Sequence, residues 1–535
     1  MPARRTARTL IVALLTGALA VTTAWAGIGL APVKDAVDDL GDQVTGLVED
    51  AESESAAVAA LTPGQFVVGA AKVSIKPRPE AYGGTWETEG CETMGSPSPE
   101  FFGHLGDLRL TWPENPNCLY MGGFGIGPMN PITGWNEAGQ DPGEYGLWVR
   151  ALFISDGTDS LVLTQIDGTS YFGRYGKLCE GCGAFDIAEE LGAKYGIDPA
   201  GFMMASTHAH SAPDFIGGWG GVPTWYMNQV HAAFRTAIGE AVTTSAPASV
   251  EAGDSLSRRF NGERRDLYWS AEDNTMSWVR FTDSATGAGI ATMGAYAGHP
   301  TTLGSNGGTA HPDFHGVFAK RVEERFGGTG LLFQTGLGNM SSSGGTLGVG
   351  LGLAALIPEA GGGQAVTGTD VKVKQTFWSQ PITNIPLGTL GAVGFFDRPF
   401  TPLGFVEAGK HDVRYCRSVS PLGVTTAVSA ASVGNLTFTG APGEVFSNLT
   451  NTIEEEAPGI AFPLAQVNDG LGYIMQSFET DHVGRQGVGF VGSVEVGDDD
   501  VVLSEYEDAY GLDACFGDAV LMKTLNLMKD LRSGA

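Results

Sequence analysis

His208 and His210, two imidazoles separated by one residue, are the first groups in this chain that point to chemistry. They stand in Thr207-His208-Ala209-His210-Ser211-Ala212-Pro213, after an apolar run, Gly201–Ala205, that reads as a strand ending at a turn. Residues two apart in an extended segment face the same way. Both rings are therefore expected on one side, at the mouth of a sheet. Neutral imidazole is the commonest side-chain metal ligand, and paired imidazoles also pass protons. The same spacing suits a surface turn satisfied by neighbouring carbonyls, and taken alone it does not separate the two uses.

Four further polar sites also follow strand-like segments. His299 lies in Gly298-His299-Pro300-Thr301-Thr302, and the proline biases it away from helix. Glu444 closes Gly440-Ala441-Pro442-Gly443-Glu444 and opens a helical stretch, Val445–Glu456. Tyr473 ends Asn468-Asp469-Gly470-Leu471-Gly472-Tyr473. Ser341 sits in Gln334–Ser343, a strand running into a Gly-rich turn that presents hydroxyls. Each has a plain structural use as well. A histidine before proline is commonly a turn residue, and Glu444 would favour the positive end of its helix. Tyr473 suits a half-buried aromatic position, and the serines a polar loop. The chain has no His-Glu-x-x-His helix and no Gly-x-Ser-x-Gly elbow, which removes the zincin and serine-esterase patterns.

The elements that must position these groups alternate imperfectly. Strands are expected at Phe66–Ile75, Leu147–Ile154, Ser160–Ile166, Gly201–Ser206, Met276–Thr282, Gly289–Tyr296, Gly330–Gln334, Val433–Phe438 and Val501–Leu503. Helices are expected at Phe185–Tyr195, Tyr226–Val242, Phe314–Phe326, Val445–Glu456 and Cys515–Leu531. The pattern predicts an α/β or mixed α+β fold, with a large mixed sheet, flanking helices and long Gly/Pro-rich loops. Two apolar stretches, Gly344–Gly368 and Ile382–Phe405, stand out. Gly344–Ile357 and Ile382–Phe405 are expected beside the His208 site, with a packed core role as the competing expectation.

Arg4, Arg5 and Arg8, an apolar run Leu10–Val21 and Ala24-Trp25-Ala26 read as a secretory signal over residues 1–26. Residues 27–64 read as an acidic, partly helical arm, and 65–535 as the compact domain. The chain is therefore expected outside the cell, with no transmembrane segment. Its formal net charge of −29 over 535 residues argues against nucleic acid as a partner. Six cysteines in an exported chain suggest disulfides. Cys91 with Cys118, Cys416 with Cys515, and a local bridge in Cys179-Glu-Gly-Cys182 are the expected pairs.

Taken in order, these pieces resemble the neutral (non-lysosomal) ceramidases. The resemblance runs through Val68–Ile75, Met121-Gly122-Gly123, Gly146–Ala151, Gln165-Ile166-Asp167, Thr207–Pro213, His299–Thr302, Gln334–Ser341, Ala441–Glu444 and Gly472-Tyr473. It covers about residues 65–480 and only the family's catalytic domain, without its C-terminal immunoglobulin-like domain. The resemblance implies one Zn²⁺ per chain held by His208, His299, Glu444 and Tyr473, with Ser341 and His210 as catalytic residues. It implies hydrolysis of the N-acyl amide of ceramide-like lipids, with transient contact at a membrane surface. A zinc esterase or amidase on a non-sphingoid substrate, or a non-catalytic exported binding protein, are the competing functions. Three departures bear on them. Asn339 stands where the family has an acid before the serine. No tyrosine follows Tyr473 at about a dozen residues, so His482 or Arg485 would have to replace it. Arg258, Arg259, Arg264 and Arg265 compete for the family's site arginine.

Overall fold

The computed structural model describes residues 66–91, 117–123, 128, 130–136, 145–265, 270–392, 396–402, 420–480, 507 and 510–533. The expected signal segment, the acidic arm, the strand Val501–Leu503, Cys416, His482 and Arg485 lie outside them. Among the described residues, two large sheets, three two-stranded pairs and seven α-helices make a mixed α/β architecture, as the sequence predicts.

The larger sheet is built from β1 (Phe66–Ser74), β2 (Trp148–Ser155), β3 (Ser160–Ile166), β4 (Phe202–Ser206), β5 (Ala246–Leu256), β6 (Thr275–Asp283), β7 (Gly289–Tyr296) and β8 (Thr329–Gln334). Its order is β8-β7-β6-β5-β1-β2-β3-β4, with Gln364–Ala365 added beside β5. Only β3 with β4 and β7 with β8 are parallel within that path. These two parallel pairs lie at opposite edges. The edges nevertheless approach each other: Gln165 of β3 donates to the Leu332 carbonyl of β8, and Gln334 Nε2 lies 3.4 Å from the Thr207 carbonyl. The strand ends that carry His208 and His299 are thereby brought to one place.

Along β2, β3, β4, β7 and β8 both faces are buried, which is why these strands read as near-continuous apolar runs. On one face Val149, Ala151, Phe153, Val162 and Ile166 pack with helices α1 (Ala184–Tyr195) and α2 (Thr224–Thr243). The alternate residues, Leu152, Ile154, Leu161, Leu163 and Met203, pack with residues of the second sheet, among them Val433, Phe438 and Phe462. That sheet comprises β9 (Val371–Pro381), β10 (Leu422–Val433), β11 (Leu436–Gly440) and β12 (Ala461–Leu464), in that order. The expected strand Val433–Phe438 is in fact a hairpin. Val433 pairs with Leu436 across a two-residue turn whose first member, Gly434, takes φ 55°. Glycine with positive φ at that place gives the turn twist that suits a tight hairpin.

Helix α3 (Asp313–Phe326) packs on β8 and on α4 (Gly345–Leu356). Helix α5 is Ile385–Ala392, α6 is Ser447–Glu456, and α7 (Phe516–Ser533) lies along the second sheet. Among the described residues no helix is long and apolar enough to cross a membrane. Disulfides join Cys91 to Cys118 and Cys179 to Cys182. Cys515 is also disulfide-bonded.

Candidate metal centre

Strand β4 ends at Ser206, and the chain then leaves the extended region. His208 has φ 61°, in the left-handed region that ordinary side chains seldom adopt. The pleat therefore does not align the two rings, contrary to the expectation from their spacing. A turn brings them together instead, with the Nε2 atoms of His208 and His210 3.2 Å apart. The segment Gln466–Asn468 holds this turn in place. Asn468 Oδ1 accepts from Met204 N at 2.8 Å, and its Nδ2 donates to the Phe202 carbonyl at 2.8 Å, covering the β4 edge. Gly123 fills the space behind His210. A Cβ at that residue would come within 2.1 Å of the imidazole, so the Met121-Gly122-Gly123 turn has to lack one there.

His299 follows β7, and its backbone bridges Ser341 in parallel. Its N–H donates to the Met340 carbonyl at 3.0 Å. Glu444 and Tyr473 are direct partners in a two-residue parallel strand pair, Glu444–Val445 with Tyr473–Ile474. Four groups distant in sequence thus converge. Glu444 Oε2 lies 3.1 Å from His299 Nε2 and 3.4 Å from His208 Nε2, and Tyr473 Oη lies 3.5 Å from His299 Nε2. The ligand atoms of His208, His210 and His299 all lie within 4.8 Å of one another, and all three residues are buried.

The donor set fits a cation. His208 Nδ1 is 2.7 Å from the Thr169 carbonyl, which can only accept, so Nδ1 donates there and Nε2 is the nitrogen turned to the other groups. His299 Nδ1 faces the Met340 carbonyl at 3.2 Å, with Arg264 Nη1 at 3.3 Å. Burial and the Arg264 charge hold the His299 imidazole near pKa 4, against partial compensation from Glu444. Burial, His208 and His299 depress His210 well below its usual value. Burial would raise the Glu444 carboxyl, but His208 and His299 hold it well below the usual carboxylate range. Ring nitrogens and a carboxylate oxygen gathered this closely form a ligand set that a cation would satisfy. Tetrahedral ligands at zinc bond lengths of ~2.0–2.2 Å stand roughly 3.4 Å apart, close to the observed spacings.

Of the four competing arginines, Arg264 is the one in contact with the residues of the metal centre. Its Nη2 donates to Tyr473 Oη at 2.9 Å and to the Gly338 carbonyl at 2.9 Å, and pairs with Glu507 at 2.7 Å. Arg258 and Arg259 are exposed. Arg265 instead reaches the Glu479 carbonyl and the Phe446 ring. Asn339 also acquires a role. Its Oδ1 accepts from Ser447 N at 2.8 Å and its Nδ2 donates to the Ala271 carbonyl at 2.7 Å. An acid there could not make the second bond.

A cleft of about 1140 Å³, measured out to its open mouth, lies against His208, His210, Glu444 and Tyr473. Its walls are largely apolar, from Ile382, Leu387, Leu390, Phe396 and Phe400 among others. The stretch Ile382–Phe405 therefore reaches the site as expected, through its described residues. The stretch Gly344–Ile357 does not. It forms α4, which packs on Phe314 and Val317 and contributes nothing to the cleft wall, because its buried side, Val349 and Leu353, belongs to a separate core cluster. Ser341 is half-buried beside His299 in backbone terms and is not among the residues lining the cleft. Tyr510, which does line it next to Tyr473, falls too far along the chain for the spacing expected of the family's second tyrosine.

No model of a known family matches the chain, and no curated protein does. Solved structures do match. One described as a ceramidase complexed with C2 aligns with TM-score 0.59 at 17% identity, over 88% of this chain and 76% of its own. A crystal structure of neutral ceramidase from Pseudomonas aeruginosa aligns with TM-score 0.57 at 18% identity, over 87% of this chain and 75% of its own. The chain has the fold of the neutral ceramidases.

Proposed function

We propose that this chain is an exported zinc-dependent amidohydrolase that cleaves the N-acyl amide bond of ceramide-like lipids. The observation that carries the reading is the convergence of His208, His299, Glu444 and Tyr473 at the base of an apolar cleft. His208, His299 and Glu444 would hold the zinc, with Tyr473 as the fourth, weaker ligand. Zinc supplies a Lewis acid for the acyl carbonyl and lowers the pKa of water to ~7.

The chain's own residues do the rest. The cleft walls bind the acyl tail and keep bulk water from the scissile carbonyl. Arg264 donates to Tyr473 Oη and fixes its position beside the metal site. His210, held neutral by burial, accepts a proton from water as the new C–O bond forms. It returns that proton to the amine nitrogen as the C–N bond breaks, a step worth ~10²–10⁴-fold. Ser341 lies outside the cleft lining and is paired through its backbone with His299, so its catalytic role would be to hold His299 in place.

Zinc content and turnover of a short-chain ceramide, measured on wild type, His299→Ala and His210→Ala, test the reading. His299→Ala should lose both metal and turnover, whereas His210→Ala should keep metal and lose most turnover. Stoichiometric zinc in His299→Ala would refute the ligand set, and an unchanged rate in His210→Ala would refute its proton role. An amidase or esterase on a non-sphingoid substrate is the second reading. It is favoured by the serine loop Gly338-Asn339-Met340-Ser341, which lacks the family's acid, and it predicts metal binding without ceramide turnover.

A further inference from the structure

One cation lies where an apolar cleft has no evident use for it. Arg398 is the only lysine or arginine among the described residues lining the cleft, and it is 6% exposed. Its guanidinium is fixed on one side. Nε and Nη2 bond Asp469 at 3.1 and 2.7 Å, and Nη2 also donates to the Thr425 carbonyl. Nη1 makes no hydrogen bond to any described residue. Asp469 is itself saturated, since it also accepts from Gly173 N, Gly470 N and Thr426 Oγ1. The arrangement orients the arginine and leaves one nitrogen for the cleft. Nη1 is not a buried orphan and is open to whatever occupies the cleft, where a carboxylate would accept from it.

The position is close to the metal centre. Asp469 and Tyr473 are four residues apart, a reach of at most about 14 Å for extended chain. Gly470 packs on Ser170, whose Oγ lies 3.0 Å from Gln466 Oε1, and Gln466 Nε2 lies 3.2 Å from His208 Nδ1. One substrate can therefore span both places.

We infer that Arg398 Nη1 binds a carboxylate on the substrate, and that within the N-acyl amides this site cleaves, N-acylated amino acids are turned over faster than neutral, ceramide-like ones. The inference rests on the hydrolase reading above. An acyl tail is apolar to its end, so the charged group belongs to the amine half. Water adds to the acyl carbon, the C–N bond breaks, and a fatty acid and a free amino acid leave.

The zinc-loaded full chain is assayed with N-lauroylglycine and N-lauroyl-4-aminobutyrate against N-lauroyl alkylamines of matched length. The wild type should prefer an acid by about 10- to 100-fold in kcat/KM, the size of one charge-assisted hydrogen bond. Arg398→Lys keeps a cation for Asp469 but has no second nitrogen, and should abolish the preference while leaving neutral amides within about threefold. The double variant Arg398→Gln/Asp469→Asn, which buries no unpaired charge, should behave alike. Equal turnover of acids and neutral amides by wild type overturns the inference, as does a preference that survives in both folded variants. Laurate inhibition that depends on Arg398, without any preference among amides, assigns the site to free fatty acid and also overturns it. If no amide is hydrolysed, the hydrolase reading fails. Calorimetric binding of N-lauroylglycine then decides Arg398 alone, with tenfold weaker binding by Arg398→Lys expected and equal binding contrary.

Discussion

The cleft makes a quantitative demand on acyl-chain length. Phe396 forms part of its wall, and the ring is held firmly: a Cβ at Gly218 would approach it to 3.1 Å, and the next residue, Asp397, accepts from Lys177 N at 2.8 Å. Each methylene moved from water to such a wall contributes ~0.8 kcal/mol, about fourfold in kcat/KM. Lengthening the acyl group from four to eight carbons should therefore raise kcat/KM by roughly 200-fold, an upper figure because partly exposed methylenes gain less. Phe396→Asp places a carboxylate in that wall and should reduce the gain below about twofold per methylene, with short chains little affected. Leu351 is the control. It is 47% exposed on α4 and is not part of the cleft, so Leu351→Asp should leave the slope unchanged. The assay is kcat/KM across N-acyl amides of one amine, from two to twelve carbons. A flat wild-type series refutes the assignment of the cleft to the acyl tail, and so does an equal loss on short and long chains in Phe396→Asp.

Tyr473→Phe should keep close to one zinc per chain while turnover falls roughly 10- to 100-fold, since it removes the oxygen bonded by Arg264 but leaves His208, His299 and Glu444; zinc analysis beside steady-state rates checks this. Asn339→Asp should cost about 3 kcal/mol, because it removes the bond to the Ala271 carbonyl and sets a buried charge near Glu263; urea unfolding measures it, and an unchanged midpoint contradicts the role given to Asn339. Burial lowers His311 from 6.5 to about 4, and its Nδ1 accepts from Asp313 N, so the folded chain holds it neutral. Its contribution, about 3 kcal/mol, is complete above pH 6.5 and is lost as pH falls from 6.5 to 4. His311→Asn, which cannot titrate, should flatten that limb of the stability curve, and parallel curves would show the opposite.

Much of the frame was legible in the residues. Ser160–Ile166 and Gly289–Tyr296 are strands over those same limits, because each is a long apolar run bounded by polar or glycine turns. The long strand β9 was not foreseen: only its Val371-Lys372-Val373-Lys374 start alternates, and the rest, with Phe377 and Trp378 adjacent, breaks the period and is held by pairing with β10. The Val433–Phe438 error came from reading through Gly434-Asn435, a pair that itself signals a tight turn. At the candidate site, residue type alone left each group a plain structural use, and it was the resemblance to the neutral ceramidases, in colinear order, that brought forward His208, His299, Glu444 and Tyr473. The choice of Arg264 over its neighbours, the space beside Gly123 and the inward cation of Arg398 depend on which side chains meet across hundreds of residues. No periodicity records that.

The two short strand pairings at the site have a kinetic consequence. Glu444 meets Tyr473 in a two-residue ladder, and His299 meets Ser341 through a single bridge. Neither seam can close until the segments on both sides have found their places, and His208 must arrive from the far edge of the larger sheet. Such non-local closures bear the entropy of loops already formed and come late in folding. The capacity to capture a metal ion should therefore appear only after most secondary structure has formed. A stopped-flow zinc indicator would then time the last act of folding, while circular dichroism follows the earlier ones.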